Sequence, residues 1–146
     1  MSPMMNSMTL IEICVVLFIM GLIIAFSVPM LKSYNKGHQL NGAAENIAGQ
    51  LRLARSIAIM SGTTQRFHFY AGYSGYDYHV HSGGGGVKTG WLLPRGVTYE
   101  WGDDLVGVDY LADGHASESL DVVLVDSSTG MRDTVTVEMS GYVLLH

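Results

Sequence analysis

The sequence predicts an α+β fold: one long N-terminal helix packed on a small antiparallel β-sheet domain. Three observations predict it. Residues 13–31 form an uncharged, almost wholly apolar run. The next thirty or so residues repeat apolar side chains at the helical period. From Gln65 onward the pattern changes to short runs rich in β-branched and aromatic residues, separated by Gly, Ser and Asp.

The apolar run is 19 residues long. A helix rises 1.5 Å per residue and about 20 residues span a bilayer core of roughly 30 Å, so this run has the length of a single-pass membrane helix. Pro29 lies near its end and removes one backbone hydrogen bond, which predicts a kink or a melted turn over residues 27–29. Beyond it, Leu40, Ala44, Ile47, Leu51, Ala54 and Ala58 follow intervals of four, three, four, three and four, while Gln39, Glu45, Asn46, Arg52 and Arg55 fall off that stripe. The helix therefore continues to about residue 62, where "SGTT" ends it. Gly37, Gly42 and Gly49 each weaken it by about 1 kcal/mol relative to Ala.

Strands are expected in "QRFHFYA", "YDYHVH", "VTYEW", "LDVVLVD", "TVTVEM" and "YVLLH", with the clearest hairpin over residues 120–138. The resulting organisation is residues 1–7 as a leader, 8–31 as a hydrophobic helix, 32–62 as its amphipathic continuation and 63–146 as an antiparallel β domain. With 146 residues, one globular domain plus an anchor is the natural reading.

The net charge of −5 is unevenly spread. Five of the eight basic residues lie within residues 32–66, whereas residues 77–138 hold eleven acids against Lys88, Arg95 and Arg132. Affinity for nucleic acid comes largely from Lys and Arg displacing counterions, so the acidic C-terminal half disfavours a nucleic-acid partner. Cys14 is the single cysteine, so no intrachain disulfide can form.

Glu12 directly precedes the apolar run. An ionisable residue inside a membrane helix costs about 2.5–3.5 kcal/mol at the bilayer centre on insertion scales, so one placed there calls for a functional partner. At the interface it could instead complement the positive end of the helix dipole.

The segment "MTLIEICVVLFIMGLIIAFSVPML" resembles the prepilin N-terminal methylation segment of type IV pilins and type II secretion pseudopilins. Further on, "ENIAGQLRLARSIAIMSGTTQRFHF" is similar to the helix-to-strand junction of the GspH/FimT family of minor pseudopilins, and "VTVEMSGYVLL" fits the strand, Gly and final strand with which that family ends. The resemblance implies a type IV pilin-like fold and a non-enzymatic subunit; no cofactor or metal is expected, because no ligand set stands out in the residues. It implies cleavage between Ser7 and Met8 by a prepilin peptidase, methylation of the new amine of Met8, and pairing of Glu12 with the N-terminal amine of a neighbouring subunit. Ser7 and Met8 stand where the family has Gly and Phe. Pro29 is expected to bend the helix. The implied partners are other pseudopilins in a hetero-oligomeric filament, the peptidase, an inner-membrane assembly platform and, before assembly, membrane lipid. The implied location is the inner membrane, single-pass, with the C-terminal domain in the periplasm. Lys32 and Lys36, with no basic residue before the run, favour a cytoplasmic C-terminus on charge alone; the pilin signal is the stronger datum.

On this basis the chain is expected to be a minor pseudopilin of type II secretion, placed near the filament tip. The alternatives are a FimT-like minor pilin of a type IV pilus, serving assembly or DNA uptake, and a signal-anchored periplasmic binding module or enzyme. "AFS" at residues 25–27 has the small-x-small form of a signal-peptidase site, but a basic n-region is missing. His79 and His81 share one face of a strand, as a pair of metal ligands would, but spacing places no third ligand, so they read as surface histidines. Asp103, Asp104, Asp109 and Asp113 fall in one loop-rich stretch without the alternation of a calcium loop, so a solvated acidic loop is expected. Tyr70, Tyr73, Tyr76, Tyr78, Trp91 and Trp101 at alternating strand positions read as core. No nucleophile or paired acids single out an active site.

Overall fold

The structure is a computed structural model describing residues 9–73, 75–82, 85–102 and 104–146, with the side chains of 27–34 and 71–73 outside the description. Among the described residues one helix, α1 (Leu10–Ser61), precedes eight strands: β1 (Gln65–Tyr73), β2 (Tyr76–Ser82), β3 (Val87–Trp91), β4 (Val97–Tyr99), β5 (Val106–Tyr110), β6 (Leu120–Asp126), β7 (Arg132–Val137) and β8 (Val143–Leu145). The chain divides into two compact units, residues 1–35 and 36–146.

In the first unit the helix begins at a capping box. Thr9 Oγ1 accepts from the Glu12 amide at 3.3 Å, and the Thr9 amide donates to Glu12 Oε2 at 3.4 Å. This reciprocal Thr-x-x-Glu pairing satisfies two amide donors at the helix start that would otherwise lack partners. Beyond it the side chains are apolar and exposed, with Leu10 82%, Phe18 68% and Phe26 76% accessible. The helix passes unbroken through Pro29. Of the two outcomes expected there, the melted turn is absent. Among the described residues no helix is long and apolar enough to cross a membrane; the run of residues 13–31 continues past Phe26 into residues whose side chains lie outside the description.

In the second unit the predicted stripe is the buried face of α1. Leu40, Ala44, Ile47, Leu51, Ala54 and Ala58 are buried, and Ala43 and Ala48 widen the face. Small residues on that face let the helix lie close to the strands. Gly62, at φ +63°, ends the helix in the left-handed conformation that Gly adopts without penalty, and Ser61 Oγ donates to the Ile57 carbonyl at 2.7 Å.

The strands form two antiparallel sheets of four where a single small sheet was expected, in the orders β3-β2-β1-β5 and β4-β6-β7-β8. Their inner faces and the helix stripe make one core: Phe67, Phe69, Tyr78, Val80, Val108 and Tyr110 from the first sheet, and Val97, Tyr99, Val122, Leu124, Val135, Val137 and Val143 from the second. Aromatic rings join the sheets, with Phe69 5.9 Å from Tyr99 and 6.3 Å from Trp101, and Tyr99 stacked on Trp101 at 4.9 Å. Asp77 fixes the connection between sheets: its carboxylate accepts from the Leu93 amide at 2.7 Å and its carbonyl accepts from Tyr99 Oη at 3.0 Å. Burial pushes the Tyr99 hydroxyl well above its usual range, so it remains a donor.

Two strands depart from the sequence reading. β3 ("VKTGW") was not expected as a strand, and β5 ("VGVDY") lies in the stretch read as loop-rich. Each carries an internal Gly that lowers strand propensity, and each Gly gives room to a ring: an added Cβ would meet Tyr76 Cγ at 2.3 Å from Gly90 and His68 Cδ2 at 2.5 Å from Gly107. The aromatic expectation holds in part. Tyr78 is buried and Trp91 and Trp101 pack on the core, whereas Tyr70 is half-buried and Tyr76 exposed; the side chain of Tyr73 lies outside the description.

Two arginines of α1 tie the helix to the end of the chain. Arg52 Nη2 donates to the Val143 carbonyl at 3.0 Å; Arg55 donates to the Gly114 carbonyl at 2.9 Å and the Ser140 carbonyl at 3.2 Å, and lies 4.8 Å over the Tyr142 ring. Replacing Arg55 by Ala should cost about 2–3 kcal/mol, measured as a lower urea midpoint, because hydrogen bonds to charged groups contribute about 1.5–3 kcal/mol. Lys should not rescue it, since one ammonium cannot reproduce the fork that reaches both carbonyls.

Candidate functional site

The processing pair, Ser7 and Met8, lies outside the described residues. Glu12 is placed at the third position of the helix, its carboxylate turned back onto the Thr9 amide. The start of this helix therefore holds the Glu12 carboxylate against the Thr9 amide. Pro29 lies within the helix backbone, seventeen positions further on.

A second arrangement was only half legible in the sequence, which offered His79 and His81 but not the third residue, His68. On β1 and β2, alternate side chains point to opposite faces, so Phe67, Phe69, Tyr78 and Val80 enter the core and His68, His79 and His81 share the other face. The register sets His68 directly opposite His79, and His81 follows two residues later on the same strand. The three rings lie 4.7–5.4 Å apart, centroid to centroid. One nitrogen from each lies within 4.8 Å of the others. They line a cavity of about 450 Å³ with Tyr70 and Leu105.

His79 is 1% exposed, which corrects the expectation of surface histidines. Burial, then the neighbouring His81 and His68, lowers its pKa to about 4. Burial also lowers that of His68, followed by the effect of His81. Both are neutral at pH 7, with a lone pair on one ring nitrogen. His81 Nδ1 lies 3.1 Å from the Gly85 carbonyl. A carbonyl only accepts, so this bond puts the proton on Nδ1 and leaves Nε2 as the basic nitrogen. The signal available in the sequence was "RFHF" followed by "YHVH", two alternating runs across a short turn, whose histidines meet only once the hairpin register is known.

The acidic stretch behaves as a set of separate local contacts. Asp109 pairs with Arg66 at 3.2 Å, and Asp113 accepts from the His115 amide at 3.0 Å while pairing with its ring at 3.3 Å. Asp103 lies outside the described residues. Asp126 is buried, accepts from the amides and hydroxyls of Ser128 and Thr129, and faces Lys36 at 3.6 Å. The Ser128 hydroxyl above all holds its pKa well below the usual carboxylate range, so Asp126 stays ionised and clamps the turn between β6 and β7.

Comparison with known proteins agrees with this architecture. Residues 43–141 match the model of the family described as type II transport protein GspH. The fold is similar to that of the type IV minor pilin FimU of Pseudomonas aeruginosa (strain PAO1), with a TM-score of 0.59 at 13% identity over 77% of this chain and 92% of that one. No curated protein matches it in sequence. A helix packed on antiparallel sheets, closed by the Arg-bound C-terminal hairpin and matched over two thirds of its length, makes the chain a member of the GspH family of pilin-like proteins.

Proposed function

We propose that the chain is a minor pseudopilin of a type II secretion system. The apolar residues 13–31 store it in the inner membrane with residues 36–146 in the periplasm, and the same helix later enters a filament of other pseudopilins near its tip. The observation that carries this reading is the exposed apolar helix joined in one continuous element to a GspH-family domain. A surface of that size and composition needs lipid or neighbouring helices to cover it. A prepilin peptidase cuts between Ser7 and Met8, Glu12 pairs with a neighbour's amine, Pro29 bends the helix, and the assembly platform drives extrusion. The role is structural, in keeping with a family of filament subunits.

The likeness to FimU favours a second reading, a minor pilin of a type IV pilus. The acidic C-terminal half supports a role in assembly over one in DNA uptake.

Co-expression with a prepilin peptidase tests the proposal. Intact-mass measurement should show loss of residues 1–7 and a methylated Met8. An unshortened chain, or one cut after Ser27, would remove the pilin-type reading, the latter in favour of ordinary secretion.

A further inference from the structure

The three histidines on the outer face of the first sheet have no part in storage or filament assembly as proposed. We propose that His68, His79 and His81 bind a divalent transition-metal ion of the zinc class, with one coordination position open to the adjoining cavity.

Three imidazoles and an open position form an established zinc ligand set, and imidazole also suits copper and nickel, whereas calcium and magnesium take oxygen ligands. Here the three come from paired strands, so the register of β1 and β2 fixes their backbone positions. That rigidity favours a defined geometry over the loose ligation of loop histidines.

Distances are compatible with closure. Zinc–nitrogen bonds of 2.0–2.1 Å in a tetrahedron place ligand nitrogens about 3.3 Å apart. The nitrogens here lie within 4.8 Å of one another, so each ring needs to move inward by about 1 Å, within reach of side-chain rotation. Room for such rotation exists. Gly107 leaves the space that His68 occupies, and the cavity of about 450 Å³ lies in front of all three rings.

The outer shell also fits. Metal-bound imidazoles ordinarily donate their second N–H to a carboxylate or carbonyl, which fixes the tautomer and orients the ring. His81 has that bond already, from Nδ1 to the Gly85 carbonyl. Arg66, paired across the strands with His81, carries the opposing positive charge, and Asp109 at 3.2 Å compensates it. An ion held here would cross-link β1 to β2 and stabilise the folded state through linkage.

The test is titration of metal-free, full-length protein in detergent with zinc, followed calorimetrically, and with cobalt, followed by visible absorption. One equivalent of zinc should bind, magnesium should not compete, and cobalt should give the intense bands of a four-coordinate site. His68→Ala and His81→Ala should each weaken zinc by at least the roughly 10–100-fold that loss of an outer-shell partner costs. His115→Gln, a histidine elsewhere in the domain, should leave binding unchanged. His79 is too buried to serve as the first variant, and the cobalt spectrum of the wild type stands in for it. The proposal is overturned by zinc binding that is absent, that survives both His68→Ala and His81→Ala, or that depends on His115. A weak octahedral cobalt spectrum would overturn it equally.

Discussion

Gly141→Ala should destabilise the domain by about 4 kcal/mol, among the largest effects of any single substitution. Two costs combine. Gly141 has φ +80°, where a residue with a Cβ is strained by about 1–2 kcal/mol. The added Cβ would also fall 2.0 Å from the Gly114 carbonyl oxygen and 2.8 Å from Arg55 Nε. The first of these atoms is backbone and cannot rotate away. Relief requires the turn between β7 and β8 to separate from the loop around Gly114, which breaks the Arg55 bonds to Gly114 and Ser140 and the Ala116 to Met139 backbone bond at 3.0 Å. Gly130→Ala is the control, with φ +69° and nothing within 4 Å of its added Cβ, so it should show the backbone cost alone. Urea unfolding measures both. Equal losses for the two variants would show that the close approach at Gly141 relaxes without consequence.

Much of this architecture was legible in the residues. The stripe from Leu40 to Ala58 was readable because buried helix positions recur with a period that no strand shares, and every member of it is buried. The hairpin of β6 and β7 was readable because two runs rich in β-branched residues flank an Asp-Ser-Ser-Thr-Gly turn. β3 and β5 were not, because the glycines that make room for Tyr76 and His68 remove the propensity by which strands are recognised. The division into two sheets was hidden for a related reason: each strand reports which residues alternate but not which neighbour it pairs with. His68 escaped notice because its relation to His79 exists only in the register between strands. At the N-terminus the Thr-x-x-Glu capping box went unread, and it gives Glu12 a local partner in addition to the proposed intermolecular one.

The cap and the proposed pairing predict different outcomes at Glu12, the second large effect. A carboxylate carried into hydrocarbon costs several kcal/mol unless paired, and an ammonium from a neighbour offsets part of it while fixing the register between helices. Gln at the third helical position preserves the capping box, since its side chain also accepts from the Thr9 amide, but it carries no charge. Leu removes both. If Glu12 acted only as a cap, Glu12→Gln would behave as wild type and Glu12→Leu would lose no more than the 0.5–2 kcal/mol typical of helix capping. If it pairs with an amine, both variants should insert into the membrane as well as wild type and both should fall out of the filament by about tenfold or more, the equivalent of about 1.4 kcal/mol of lost pairing.

The decisive measurement is the amount of this chain in the sheared filament fraction of cells that express its partner subunits, with the membrane fraction measured alongside. The account predicts wild-type chain in filaments with Met8 at its N-terminus, and Glu12→Gln and Glu12→Leu chains retained in the membrane and depleted from filaments. A wild-type chain that never enters filaments while they assemble normally without it would contradict the account.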